Sequence, residues 1–73
     1  MRTFFKNHFS KKIYEARYNA NLTIEEAAFR IGVAPRNLRY YESGQKTPRF
    51  ITVVKICDVY GISIDELVSK DNK

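Results

Sequence analysis

The sequence predicts an all-α fold, a compact bundle of five short helices that takes residues 1–73 as a single domain. Three observations carry this. Gly32, Gly44 and Gly61 each close a segment whose apolar residues recur at helical spacing. Two segments open on capping boxes, "TIEE" from Thr23 and "SIDE" from Ser63. No stretch reads as a strand long enough to matter. A chain of this length buries only about 60% of the surface it exposes when unfolded, so the core is small and leaves little room for an enclosed reaction site.

The first helix is expected at about residues 4–19. At 100° per residue, Phe5, Phe9, Ile13 and Ala16 fall within about 80° of one another and form one apolar stripe, and Asn21 follows as a left-handed stop. Thr23 opens the second helix, about 24–31, because it and Glu26 each satisfy a backbone N–H at the helix start. Gly32 ends that helix, since glycine takes positive φ without steric cost where the chain turns sharply. Pro35 suits the first position of the third helix, about 35–42, where its missing N–H costs nothing. After the loop "QKTPR", the segment "FITVVKICDVY" places Phe50, Val53, Val54, Cys57 and Tyr60 on one face of a fourth helix, about 50–60. Its β-branched residues also suit a strand, but the spacing and the closing Gly61 favour helix. Ser63 and Glu66 repeat the capping box and open the fifth, about 64–69.

Thirteen Lys and Arg against eight Asp and Glu give a net charge of +5, which favours an anionic partner without identifying one. The charge is uneven. Residues 1–49 carry ten basic and four acidic side chains, +6, and residues 50–73 carry three and four, −1. An anion is expected to meet the first two thirds of the chain. The single cysteine, Cys57, excludes an internal disulfide and fits a reducing, cytoplasmic setting. No apolar run resembles a signal peptide or is long enough to cross a bilayer, so a soluble protein without a membrane partner is expected.

Two short helices joined through Gly32 and Val33 fit a helix-turn-helix, with Ala28 small enough to let them approach and Ala27, Ile31, Val33, Leu38 and Tyr41 on the apolar side. Any helical hairpin can show that pattern, so periodicity alone leaves DNA binding open. The joint spacing of further pieces narrows it: Leu22-Thr23-x-Glu25-Glu26-x-Ala28, Gly32-Val33, Tyr41-Glu42-x-Gly44-x-x-x-Pro48 and Gly61-Ile62-Ser63-Ile64-Asp65-Glu66-Leu67. In these pieces, from Leu22 to Val68, the chain resembles the xenobiotic-response-element family of helix-turn-helix regulators, which includes the lambda-type repressors and Cro proteins. It departs from that family at two places. Ile24 stands where a phosphate-contacting Gln is usual, and Ala34 replaces the Ser or Thr that caps the third helix. The stretch "GVAPRNLRYYE" is also similar to mercury-resistance-type (MerR) regulators, but those begin with the motif and continue into a wing and a coiled coil. Here a whole helix precedes the motif and two compact helices follow it.

The resemblance implies a lambda repressor-like domain whose third helix lies in the major groove of double-stranded DNA and reads base edges through Pro35, Arg36, Asn37, Arg39 and Tyr40. Arg36 is the best reader, because its fork can donate twice to guanine. Tyr40, one turn on, can donate a hydrogen bond or lie against a thymine methyl, and Pro35 offers only apolar contact. Phosphate contacts, which position without reading, are expected from Thr23 at the start of the second helix and from Gln45, Lys46 and Thr47 in the loop after the third. The resemblance also implies an ion pair between Arg17 and Glu42 that ties the first helix to the third. Cys57 is expected in the core, and Phe4, Tyr14, Tyr18 and Tyr60 in the core or at an interface.

The expected function is a sequence-specific regulator of transcription, a small repressor of phage or mobile-element kind, acting as a homodimer on its operator without cofactor, metal or small-molecule ligand. Its dimer surface is expected at Ile62, Ile64 and Val68, with the phenylalanine-rich N-terminus as the other candidate. A protein-binding module or antitoxin-like partner that keeps the fold is the competing class, and the cations of the third helix argue against it. An enzyme is the weakest class: one His, one Cys, no phosphate-cradling glycine loop and no paired acid and base. Single-strand RNA readers present aromatics on a sheet or groove, which this sequence lacks.

Overall fold

The computed structural model describes residues 8–68. Over them the chain forms α1 His8–Asn19, α2 Ile24–Ile31, α3 Pro35–Ser43, α4 Phe50–Tyr60 and α5 Ile64–Val68, with no strand among the described residues. The expected beginning of the first helix, with Phe4 and Phe5, and the last residue of the fifth lie outside the described residues. The third helix runs one residue beyond its expected end, to Ser43.

Each boundary has a local cause. Asn21 takes φ 60°, the left-handed conformation that asparagine tolerates, and turns the chain from α1 toward α2. At the start of α2 the Thr23 hydroxyl accepts from the Glu26 N–H at 3.1 Å, and the Thr23 N–H donates to the Glu26 carboxylate at 2.9 Å. Gly32 then adopts φ 92°, with its N–H donating to the Ala28 carbonyl. An added Cβ there would meet nothing within 4 Å, so the demand for glycine comes from the backbone angle and not from crowding. Ala34 caps α3 without any side-chain hydrogen bond, and Pro35 begins it. Ser63 and Glu66 exchange bonds of 3.2 Å at the head of α5.

The helices enclose one core. Ala27, Ala28 and Ile31 of α2 and Leu38 of α3 are buried against Ile13 of α1, Ile56 of α4 and Leu67 of α5. The first helix packs on α3, α5 and α4, while α2 lies on α3 and α4, so the turn and its two helices rest on the rest of the bundle. Ile24, where the related family usually has a polar residue, is half-buried and packs against this core.

The fourth helix presents a different face from the one its spacing suggested. Val53, Ile56, Cys57 and Tyr60 point inward, whereas Phe50 is 73% exposed and Val54 is 37% exposed. Eight of its eleven residues are apolar, so two stripes at i, i+3, i+4, i+7 compete: 50-53-54-57 and 53-56-57-60. Packing against α1, α2 and α5 selects the second, in which Ile56 is fully buried. Tyr14 and Tyr18 are surface residues, stacked on one another with centroids 6.3 Å apart, while Tyr60 is in the core.

Candidate nucleic-acid interface

The third helix is two-faced. Leu38 and Glu42 are buried, Tyr41 packs beside them, and the opposite side carries exposed Pro35, Arg36 and Arg39 with half-buried Asn37 and Tyr40. Its rotation is fixed from below. The Arg17 Nε donates to Glu42 Oε2 at 2.7 Å, and Nη2 donates to Oε1 at 3.1 Å, forming a two-pronged bond between α1 and α3. A third donor, Nη1, reaches the Leu22 carbonyl at 2.9 Å, so the same guanidinium also pins the turn before α2. The bond to Glu42 raises the Arg17 pKa above its ordinary value, against the opposing effect of burial, so the guanidinium keeps its charge. Such a pair holds orientation more than it adds net stability, because desolvation offsets most of the attraction.

On the outward side Arg36, Asn37 and Tyr40 line an open depression of about 400 Å³ together with Gln45 and Lys46. Three residues expected to read bases and two expected to hold phosphate therefore border one space. Arg36 makes no ion pair among the described residues and stands exposed at the helix start. The chain after Gly44 folds back on Tyr40: the N–H groups of Gly44, Gln45 and Lys46 and the Ser43 hydroxyl all donate to the Tyr40 carbonyl. That wrap carries the Lys46 ammonium over the Tyr40 ring, 5.1 Å from its centroid.

The other expected contacts are distributed differently. Arg39 Nη2 is 3.3 Å from Glu25 Oε2, an exposed pair that draws this arginine toward α2. Thr23 and Thr47 are exposed and do not line the depression, and Pro35 is exposed at the helix start. At the head of α2 the N–H groups of Thr23 and Glu26 are already satisfied within the capping box, and Glu25 and Glu26 place two carboxylates there. A phosphate at that end would meet the remaining helix-start N–H groups beside like charges. The Glu25–Arg39 and Lys46–Tyr40 contacts were not read from the sequence. The first joins residues on different helices, and the second depends on how the loop folds, so neither has a local spacing signal.

Elsewhere the chemistry is sparse. Burial, reinforced by the charge of Glu66, pushes the Cys57 thiol up, which keeps it protonated and unreactive. Among the described residues no three His, Cys, Asp or Glu stand together as metal ligands, and no helix is long and apolar enough to cross a membrane. A second depression of about 470 Å³ lies between α1 and α5, but Glu15, Asp65 and Glu66 on its border make it a poor seat for phosphate.

A helix-turn-helix family model, HTH_3, matches residues 13–67, which takes in all of α2 to α4 and most of α1 and α5. Among curated proteins, the cryptic phage CTXphi transcriptional repressor RstR of Vibrio cholerae is 43% identical over 61 residues, 84% of this chain and 55% of that protein. The HTH-type transcriptional regulator ImmR of Bacillus subtilis (strain 168) is 36% identical over 61 residues, 84% of this chain and 48% of that one. The chain thus spans about half the length of the curated relatives it matches. Among solved structures, the restriction-modification controller protein C.AhdI from Aeromonas hydrophila superposes with a TM-score of 0.78 at 25% identity, covering 82% of this chain and 91% of that one. A transcriptional regulator from Listeria innocua gives 0.75 at 25% identity, over 89% and 61%. With the turn at Gly32, the two-faced α3 and these relatives together, the chain belongs to the lambda repressor and Cro-like helix-turn-helix family.

Proposed function

We propose that this chain is a sequence-specific double-stranded DNA-binding regulator of transcription, a small cytoplasmic repressor of phage or mobile-element kind that works without catalysis. The observation that carries the reading is the depression on the outward face of α3, where an exposed arginine, an amide, a phenol and an ammonium converge. That set matches a major-groove edge flanked by phosphates: Arg36 can donate twice to guanine, Asn37 and Tyr40 offer hydrogen bonds, and Gln45 and Lys46 meet backbone oxygens. The names of the relatives, a phage repressor and a regulator, support the same reading.

The chain acts as a homodimer on DNA. One short α3 covers a few base pairs, so useful specificity needs two half-sites about one helical turn, ~34 Å, apart on one face. A molecule of 34 × 24 × 23 Å is small enough for two copies to sit side by side at that spacing. Ile62 and Ile64 are half-buried against the core, which leaves less of them for a partner than their sequence position suggested. Toward the C-terminal end of the described residues, Phe50, Ile51 and Val54 of α4 and Val68 of α5 are exposed apolar side chains that suit pairing. They lie in the part of the sequence with net charge −1, where two copies repel one another least.

Selection from a pool of random duplexes tests this directly. An enriched inverted repeat, with two chains per duplex in sedimentation, is the expected outcome. A chain that enriches no duplex, and is instead captured by a protein partner, is a protein-binding module.

A further inference from the structure

The lysine expected to hold phosphate is placed to act on the residue expected to read a base. Lys46 follows Gly44 by two residues, and Gly44 at φ 84° reverses the chain at the end of α3. The reversal is held by one acceptor, the Tyr40 carbonyl, which takes the Gln45 N–H at 2.9 Å, the Lys46 N–H at 3.3 Å and the Ser43 hydroxyl at 3.2 Å. The backbone of Lys46 and its side chain therefore both end at Tyr40, and the ammonium lies over the face of the ring at 5.1 Å. Tyr40 itself is only half-buried, on the open border of the depression, so core packing does not fix its ring.

We infer that Lys46 is a positioning residue for sequence reading, and that its ammonium holds the Tyr40 ring in the orientation from which the phenol meets a base edge. The inference rests on the proposed function of this face and deepens it. A lysine that touched phosphate alone would weaken every duplex alike, because a phosphate carries no sequence information. A lysine that also fixes Tyr40 adds a second effect, confined to the base pair that Tyr40 meets. Cation–π contacts at exposed sites correspond to a factor of roughly two to five in an equilibrium, which is the size expected for the lost discrimination at that pair.

The chain, Lys46→Ala, Lys46→Arg, Tyr40→Leu and the double variant Tyr40→Leu/Lys46→Ala are each presented with random duplexes, and the enriched sequences are compared position by position. Lys46→Ala is expected to blur preference at the base pair blurred by Tyr40→Leu and to leave the other positions sharp. Lys46→Arg, which keeps a cation over the ring, is expected to restore it, and Lys46→Ala added to Tyr40→Leu should lower all affinities without further blurring. In the free protein, the Lys46 side-chain methylene protons should be shifted upfield by the ring, and that shift should vanish in Tyr40→Leu. Uniform loss for Lys46→Ala with every preference intact, or methylene protons at their ordinary positions, overturns the inference while leaving DNA reading standing. If the wild-type chain enriches no duplex, the DNA-reading proposal falls, and this one with it.

Discussion

Two arginines on α3 look alike in the sequence and are placed differently in the fold. Arg36 borders the depression without an ionic partner among the described residues, while Arg39 faces the Glu25 carboxylate at 3.3 Å across to α2. An exposed pair of that kind is worth about 0.2–1 kcal/mol, so Glu25 draws Arg39 toward α2 without locking it. Arg36→Ala is therefore expected to lose about 1–3 kcal/mol on the preferred duplex and to relax the preference at one base pair, with Arg39→Ala doing less. Titration of both variants on the preferred and a scrambled duplex checks this, and equal losses on the two duplexes would reduce Arg36 to a phosphate contact. Tyr60 makes a different prediction. Its hydroxyl is buried with no hydrogen-bond partner among the described residues. Burial first, and then the Glu42 carboxylate, raise its pKa above the ordinary 10.0, with Arg17 opposing. The unfolded chain releases that proton at the ordinary value and the folded chain only at higher pH. The contribution of Tyr60 is thus fully present below about pH 10 and is lost as pH rises beyond it, because the unfolded state then binds fewer protons. Tyr60→Phe should flatten this alkaline fall in chemical denaturation measured from pH 8 to 11, and an unchanged profile would mean that Tyr60 ionises as it does in the unfolded chain.

At the scale of the elements, what was legible in the sequence was what is local. The left-handed Asn21, both capping boxes, the uncapped Ala34 and the glycine stops act within four or five residues of chain, so their spacing alone reports them. The inward face of α4 was not legible, because Ile56 and Phe50 both lie on acceptable stripes and only contact with α1, α2 and α5 decides between them. The site divides in the same way. The outward residues of α3 follow from helical period once Leu38 and Glu42 are known to face inward, but the fold of the loop onto Tyr40 and the reach of Glu25 to Arg39 are tertiary. The Arg17–Glu42 bond is the joint between elements on which α3 depends. With side-chain exposures of 15% and 9%, removing either partner strands a largely buried charge and is expected to cost about 3–5 kcal/mol. Arg17→Ala and Glu42→Ala together should cost clearly less than the sum, since the double variant strands neither. Urea denaturation of the four proteins closes that cycle, and simple additivity would contradict a coupled pair.

At the scale of the whole molecule, fold and charge divide the work. A small core holds α2 and α3 against α1, α4 and α5, the cations concentrate in residues 1–49, and the segment that carries the exposed apolar side chains of α4 and α5 is close to neutral. In the proposed function, attraction to a polyanion and contact with a second copy would then use different surfaces without competing. Electrostatic attraction alone binds any duplex, whereas reading by α3 must distinguish one from another. The most direct measurement is the affinity of the wild-type chain for its enriched duplex and for a scrambled duplex of equal length and composition, from low to moderate salt. If α3 reads sequence, log affinity falls linearly with log salt on both duplexes, by about 0.9 for each phosphate neutralised, and the enriched duplex stays tighter by about a thousandfold or more. Equal affinity for the two duplexes, or a response that is flat in salt, would contradict it.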